Sequence, residues 1–299
     1  MDIRERIIRT VSYFDLFDRP LARHEVFSFL FGDDVGVDEA GVAVAIDVLA
    51  TENKIKIIDD FVFLADRDKE LLSLWKERQI ISARKWKRAK RWAKFFAALP
   101  SVCLVGVGNT LSYNNAKDES DIDFFIITKP GTIWRTRAFC AIFPALFNLR
   151  PRPGDSRDKI CLSFFVTQNA VRMYDIPTPV PETGIDVYMH YWTRLMVPLF
   201  GDNRLVGEFF NVNRLVPKTV TRPPLFLRLL LLFVGFFPGN FLKKTQFSLF
   251  PKILRDGESK QNGSVVISDD ILKFHVSDRR ADIYEQWQKR VNSILNEAR

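Results

Sequence analysis

The sequence predicts an α+β protein built from several units. Three observations carry this: apolar periodicity switches between helical and strand spacing along the chain, the 299 residues exceed one ordinary domain, and a basic helix separates two unlike halves. A composition of 47% apolar, 27% charged and 13% aromatic residues excludes disorder, and three scattered cysteines exclude a disulfide scaffold. The cysteines Cys103, Cys140 and Cys161 and the histidines His24, His190 and His275 are too dispersed to write a zinc motif. With no apolar leader after Met1, the expected setting is the cytoplasm.

Residues 1–66 read as a small helical unit closed by a hairpin. Ile7, Ile8, Val11, Phe14 and Phe17 follow helical spacing, Pro20 punctuates, and Val26 to Phe31 resumes it. A third helix is expected from Asp38 to Glu52, followed by two β-rich runs, residues 54–58 and 61–64, joined at Asp59-Asp60. Three helices and a hairpin are the order of a winged-helix-like domain, a module that binds DNA or other proteins. Asp38, Glu39, Asp47 and Glu52 on the third helix argue against insertion into a DNA groove.

Residues 67–99 read as a basic linker helix. Its apolar stripe is Leu72, Trp75, Ser82, Trp86, Ala89, Ala93 and Phe96, and its charge is Arg84, Lys85, Lys87, Arg88, Lys90, Arg91 and Lys94 with no intervening acid. These seven cations, with Trp92, either hold nucleic acid or form a solvated face.

Residues 100–170 carry the chemistry. Val102 to Val107 reads as a buried strand entering a glycine turn, Gly108-Asn109-Thr110, which can present donors to an anion. A polar loop ends at Ser120-Asp121-Ile122-Asp123, and Phe124 to Thr128 continues as a strand. Side chains at i and i+2 share a strand face, so Asp121 and Asp123 project together while Ile122 enters the core. Two carboxylates so placed can clamp Mg²⁺ or Mn²⁺, and an anion cradle beside them suits phosphoryl or nucleotidyl transfer. Arg135 and Arg137, on the helix opened by Thr132, are candidates for reaching a triphosphate.

Apolar-Gly, then eleven residues between Asn109 and Asp121, then Ser-Asp-Ile-Asp and an apolar strand, resembles the signature of the nucleotidyltransferase superfamily with the DNA polymerase beta-like fold. The whole order is similar to bacterial nucleotidyltransferase-like proteins with an N-terminal winged-helix-like domain. The resemblance implies a mixed sheet with helices, metal ligands at Asp121 and Asp123, NTP phosphates at Gly108, Asn109, Thr110 and Ser120, and a nucleotidyl group passed to a hydroxyl. It also implies a third carboxylate on a later strand. The candidate strand, Lys159 to Val166, has none; Ser163 stands at the position, with Asp155 and Asp158 just before it. The alternative is therefore a catalytically degenerate nucleotide-binding or regulatory module.

Residues 171–299 read as mainly helical, with helices expected over Asp186–Phe200 and near the C-terminus, and His275 as an isolated histidine of structural type. The run from Pro223 to Leu242 is too short to span a bilayer, so it reads as a buried helix closing a core. Interfacial membrane contact is the less favoured alternative.

Overall fold

The computed structural model describes residues 1–32, 36–181, 184–216, 218–258, 263–275 and 278–296. The protein is an α+β chain with mixed sheets. In order it forms α1 Ile3–Asp15, β1 Leu21–Ala22, α2 Arg23–Ser28, α3 Glu39–Thr51, β2 Ile55–Ile58, β3 Phe61–Leu64, α4 Glu70–Ala97, β4 Val102–Val107 and α5 Asn109–Ser112. Then come β5 Ile122–Thr128, α6 Ile133–Leu146, β6 Ile160–Thr167, α7 Val187–Leu195, β7 Val197–Gly201, α8 Asn203–Val212, α9 Leu225–Leu230, α10 Gly239–Leu249, α11 Lys252–Glu258, β8 Val265–Ile267, β9 Ile271–Phe274 and α12 Arg280–Asn296.

Contacts divide the chain into two compact units. The first holds residues 1–80, 185–191 and 279–299. Its small sheet has the order β1-β3-β2, all antiparallel. Ile7, Ile8, Val11 and Phe14 give α1 one fully buried face, and α12 packs on α1, where Trp287 donates its indole N–H to the Arg9 carbonyl at 2.9 Å.

The second unit holds residues 81–184 and 192–278 around a six-stranded sheet of order β7-β4-β5-β6-β9-β8. β5 and β6 are parallel, and every other neighbouring pair is antiparallel. The parallel pair is joined through α6, the crossover that parallel strands need. One sheet face lies under α4 and α6. Ala89 and Ala93, fully buried, let α4 approach closely, and Phe96 meets Phe124 edge-on at 5.3 Å. Each such buried aromatic contributes about 2–3 kcal/mol. On the other face Trp192 packs against Phe125 and Phe164 at 5.2 and 5.1 Å.

Two expectations for the C-terminal region need correction. It is not simply helical, because β7, β8 and β9 complete the sheet. The helix expected over Asp186–Phe200 stops at Leu195 and the chain turns into β7, the edge strand of the sheet, which tolerates Pro198 and is met on its outer side by an isolated bridge between Phe200 and Thr221. The run Pro223–Leu242 is not one buried helix. It is divided into α9, a short 3-10 turn over Leu232–Phe236 and, after Pro238, the start of α10; Leu231 and Val234 are buried, while Leu225 and Phe226 stay 68% and 71% exposed.

Candidate functional site

The site is assembled where β5 and β6 begin and β4 ends. Because β5 and β6 are parallel, their first residues lie side by side, with Asp123 paired to Cys161. Alternation then decides the faces. Ile122, Ile160 and Leu162 are fully or almost fully buried under the helices, while Asp121, Asp123, Cys161 and Ser163 are half-buried on the opposite side. The register shifts by one residue between Asp123 and Phe125, a bulge beside this group.

Asp121, Asp123 and Cys161 each offer a ligand atom, all within 4.8 Å of one another. The network continues from Cys161 Sγ to Ser163 Oγ at 3.3 Å and from Ser163 Oγ to His275 Nε2 at 3.1 Å. The Asn109 side chain hydrogen-bonds Asp123. Burial, and after it the charge of Asp123, push the Asp121 carboxyl up to about 7; burial also raises Asp123, against the hydrogen bonds from Asn109 and Cys161. The Cys161 thiol is pushed well above its ordinary value by burial and then by both carboxylates.

The glycine turn is shaped by this packing. A Cβ on Gly108 would meet Trp192 Nε1 at 2.7 Å, so no larger residue fits there without moving the indole. The Gly108 N–H donates to the Asp123 carbonyl at 3.1 Å, and Asn109 follows in the left-handed region at φ 55°, which asparagine tolerates better than most residues. Asn109 and Thr110 remain half-exposed. Ser120 is used otherwise: its hydroxyl donates to the Lys117 carbonyl.

The loop before Asp121 is held from α4. Lys85, fully buried, donates to the carbonyls of Asp118 and Ser120 at 3.0 and 2.7 Å and to Asp158 Oδ1 at 2.8 Å. Arg84 pairs with Asp118 and Asp158, Arg88 donates to the Asp158 carbonyl, Ser82 accepts from the Ala116 N–H, and Trp86 donates to Asn114. The expected cationic face is thereby reduced: Arg84, Lys85 and Arg88 brace loops, while Lys87, Lys90, Arg91 and Lys94 stay exposed. Burial raises Asp158, but Lys85 and Arg84 outweigh it and hold its carboxyl below the ordinary range.

Arg135 and Arg137 are not brought to the aspartates. α6 begins beyond the far end of β5, roughly 16 Å along the strand from Asp123. Arg135 donates to the Gly235 carbonyl, and Arg137 donates to Gln246 and lies over the rings of Phe274 and Phe250 at 4.6 and 4.9 Å. Arg150, which donates to the Ile160 carbonyl, and Lys85 both feel the site: burial lowers the Arg150 pKa, opposed by Cys161 and Asp121, and the charge of Lys85 lowers Asp121. Asp155, bound to Lys159, and Asp158 are both occupied by lysines, and the β6 residue whose ligand atom joins the two aspartates is Cys161, with Ser163, expected at the third-carboxylate position, one step further along the same face.

Cys161 and His275 were missed as members of the group for lack of a strand register. Lys85 was legible: it is three residues after Ser82 and four before Ala89, in phase with the buried stripe. Comparison of the chain with protein-family models, with curated proteins and with solved structures returned no match.

Replacing Lys85 by Met is expected to cost about 3 kcal/mol of stability, because it leaves two carbonyls without their donor and takes from Asp158 the closer of its Lys85 and Arg84 partners, whereas Lys87→Met stays within about 0.5 kcal/mol. Urea unfolding of both variants measures this. The depressed Asp158 carboxyl stabilises the fold above the ordinary carboxylate range, and that contribution is lost as pH falls through its folded value. The difference between wild type and Lys85→Met should therefore shrink toward acid pH.

Proposed function

We propose that this protein is a nucleotidyltransferase of the polymerase beta-like superfamily, transferring a nucleotidyl group from an NTP to a hydroxyl acceptor, with Mg²⁺ or Mn²⁺ held at Asp121 and Asp123. The observation that carries the reading is the side-by-side placement of these two carboxylates on one sheet face, next to the turn at Gly108, Asn109 and Thr110. Like carboxylates hemmed in by protein repel, and the rise of Asp121 to about 7 expresses that repulsion together with burial. The donor set fits a divalent cation, since three ligand atoms converge within 4.8 Å. Bound there, the cation would neutralise the pair and bridge to substrate phosphates. Asp121 and Asp123 would hold it, Asn109 would orient Asp123, and Asn109 and Thr110 would face the phosphates. The order of α1 to α3 with β1 to β3 supports a winged-helix-like reading of the first unit.

Cys161 is the departure. A thiol that stays protonated neither neutralises a second cation nor activates a hydroxyl, which supports the alternative of a nucleotide-binding module with weakened or lost catalysis.

Calorimetry with each of the four NTPs, with and without Mg²⁺ or Mn²⁺, tests the site. Binding should require the cation and should weaken about 10–100-fold in Asp123→Asn. Unchanged affinity in that variant would sink the reading.

Cys161→Asp supplies the missing carboxylate. Mg²⁺ affinity is expected to rise roughly tenfold, and pyrophosphate release from the bound NTP to increase over wild type. A variant that folds as wild type yet binds Mg²⁺ no better would remove Cys161 from the cation site.

A second reading concerns nucleic acid. Arg88, Arg91, Trp92, Phe95, Phe143, Phe147 and Leu149 line an open cleft of about 490 Å³ between α4 and α6. Aromatic faces with cations at the rim suit stacked bases and a phosphate backbone. Single-strand binding should be salt-sensitive and be lost in the Lys87→Glu, Lys90→Glu, Arg91→Glu triple variant; gel-shift titration with affinity unaffected by these changes would reject it.

A further inference from the structure

The stretch from Pro223 to Arg255 leaves most of its apolar side chains outside the protein. Leu225, Phe226 and Leu230 on α9, Phe241 and Leu249 on α10 and Ile253 on α11 are all exposed, Leu249 at 76%. A folded monomer seldom leaves so many large apolar groups together in water.

The stretch is nonetheless well anchored. Leu231, Val234 and Phe250 are buried in the second unit's core, Arg135 donates to the Gly235 carbonyl at 2.9 Å, and Gln246 donates to the Trp134 carbonyl at 2.7 Å. Its inner side is fixed on α6 and its outer side is the apolar one.

Charge says what covers that outer side. Between Pro223 and Phe250 the chain carries Arg228, Lys243 and Lys244 and no Asp or Glu, and α11 adds Lys252 and Arg255 along with Asp256 and Glu258. Lys243 is taken by Asp269 at 2.7 Å, while Arg228, Lys244, Lys252 and Arg255 are exposed among the apolar groups. Among the described residues no helix is long and apolar enough to cross a membrane. Short helices with outward Leu and Phe, interleaved with cations, match the boundary between headgroups and acyl chains. A second copy of the chain is a poorer occupant, because a twofold contact would set α9 and α10, which carry cations and no acid, against themselves.

We propose that the face formed by α9, α10 and α11 docks this protein on an anionic membrane surface, its Leu and Phe side chains entering the acyl boundary while Arg228, Lys244, Lys252 and Arg255 meet lipid phosphates. The docking is independent of the nucleotide reading and would hold if that reading failed.

Flotation of the full chain with vesicles of phosphatidylcholine, with and without phosphatidylglycerol, tests it. The protein should float with the anionic vesicles and less so as salt rises. Phe226→Asp with Leu230→Asp should lower partitioning roughly tenfold or more, and Arg228→Gln with Lys244→Gln about fivefold per charge on anionic vesicles alone. Leu249→Asp, on a different helix, should weaken binding too, and thermal melting by circular dichroism should show each variant folded. Wild type that stays in the soluble fraction with anionic vesicles, or folded variants that float as well as wild type, would overturn the proposal. So would a dimer in sedimentation that Phe226→Asp dissociates while neither protein floats, which would give the face to a second copy.

Discussion

The buried ammonium of Lys85 holds together the part of the second unit on which its chemistry depends. Its three protons meet three acceptors, the carbonyls of Asp118 and Ser120 and the carboxylate of Asp158. Those acceptors lie on two different loops, one leading into β5 and one into β6. Since β5 and β6 are parallel, both loops arrive at the same end of the sheet, and one cation from α4 ties them together. The positions of Asp121 and Cys161 follow from that tie. A surface lysine could not do this, because water would compete for every acceptor.

How much of this was legible follows from where the information sits. Asp121-Ile122-Asp123 carries its own answer, because a period of two separates faces whatever the partner strand is, and Ile122 is fully buried between two half-buried acids. The membership of Cys161 could not be read this way. It depends on β6 lying parallel to β5 in a register that pairs Asp123 with Cys161, and that register is set by a crossover through α6 and a bulge. His275 is further removed still, since it enters only because β9 adds antiparallel to β6. Arg135 and Arg137 were misplaced by the converse error: a helix following a strand leaves from the strand's far end, so its first turn lies away from acids at the strand's start.

Hydropathy misled at Pro223–Leu242 for a related reason. An apolar run reports how much surface would gain from leaving water, and says nothing of how much neighbouring surface exists to cover it. The run folds as α9, a short 3-10 turn over Leu232–Phe236 and, after Pro238, the start of α10, pieces too short to wrap the core, so Leu231 and Val234 are buried in it and Leu227 and Leu242 only partly cover it. The same punctuation that prevents a spanning helix also leaves the remaining Leu and Phe side chains facing outward.

The electrostatics of the aspartate pair are left half-resolved by the protein's own groups, and that imbalance is the argument for a ligand. Asn109 and the Cys161 thiol hydrogen-bond the carboxylates, but both donors are neutral. The nearby cations are committed elsewhere: Lys85 to two carbonyls and Asp158, and Arg150 to the Ile160 carbonyl. With no full charge in direct contact, burial and after it the charge of Asp123 favour a held proton, and Asp121 rises to about 7. A divalent cation held by Asp121 and Asp123 would remove that need, beside the half-exposed Asn109 and Thr110. A site built only for stability would gain more from replacing one aspartate with a neutral residue, since nothing in the packing around Asp121 and Asp123 requires two negative charges.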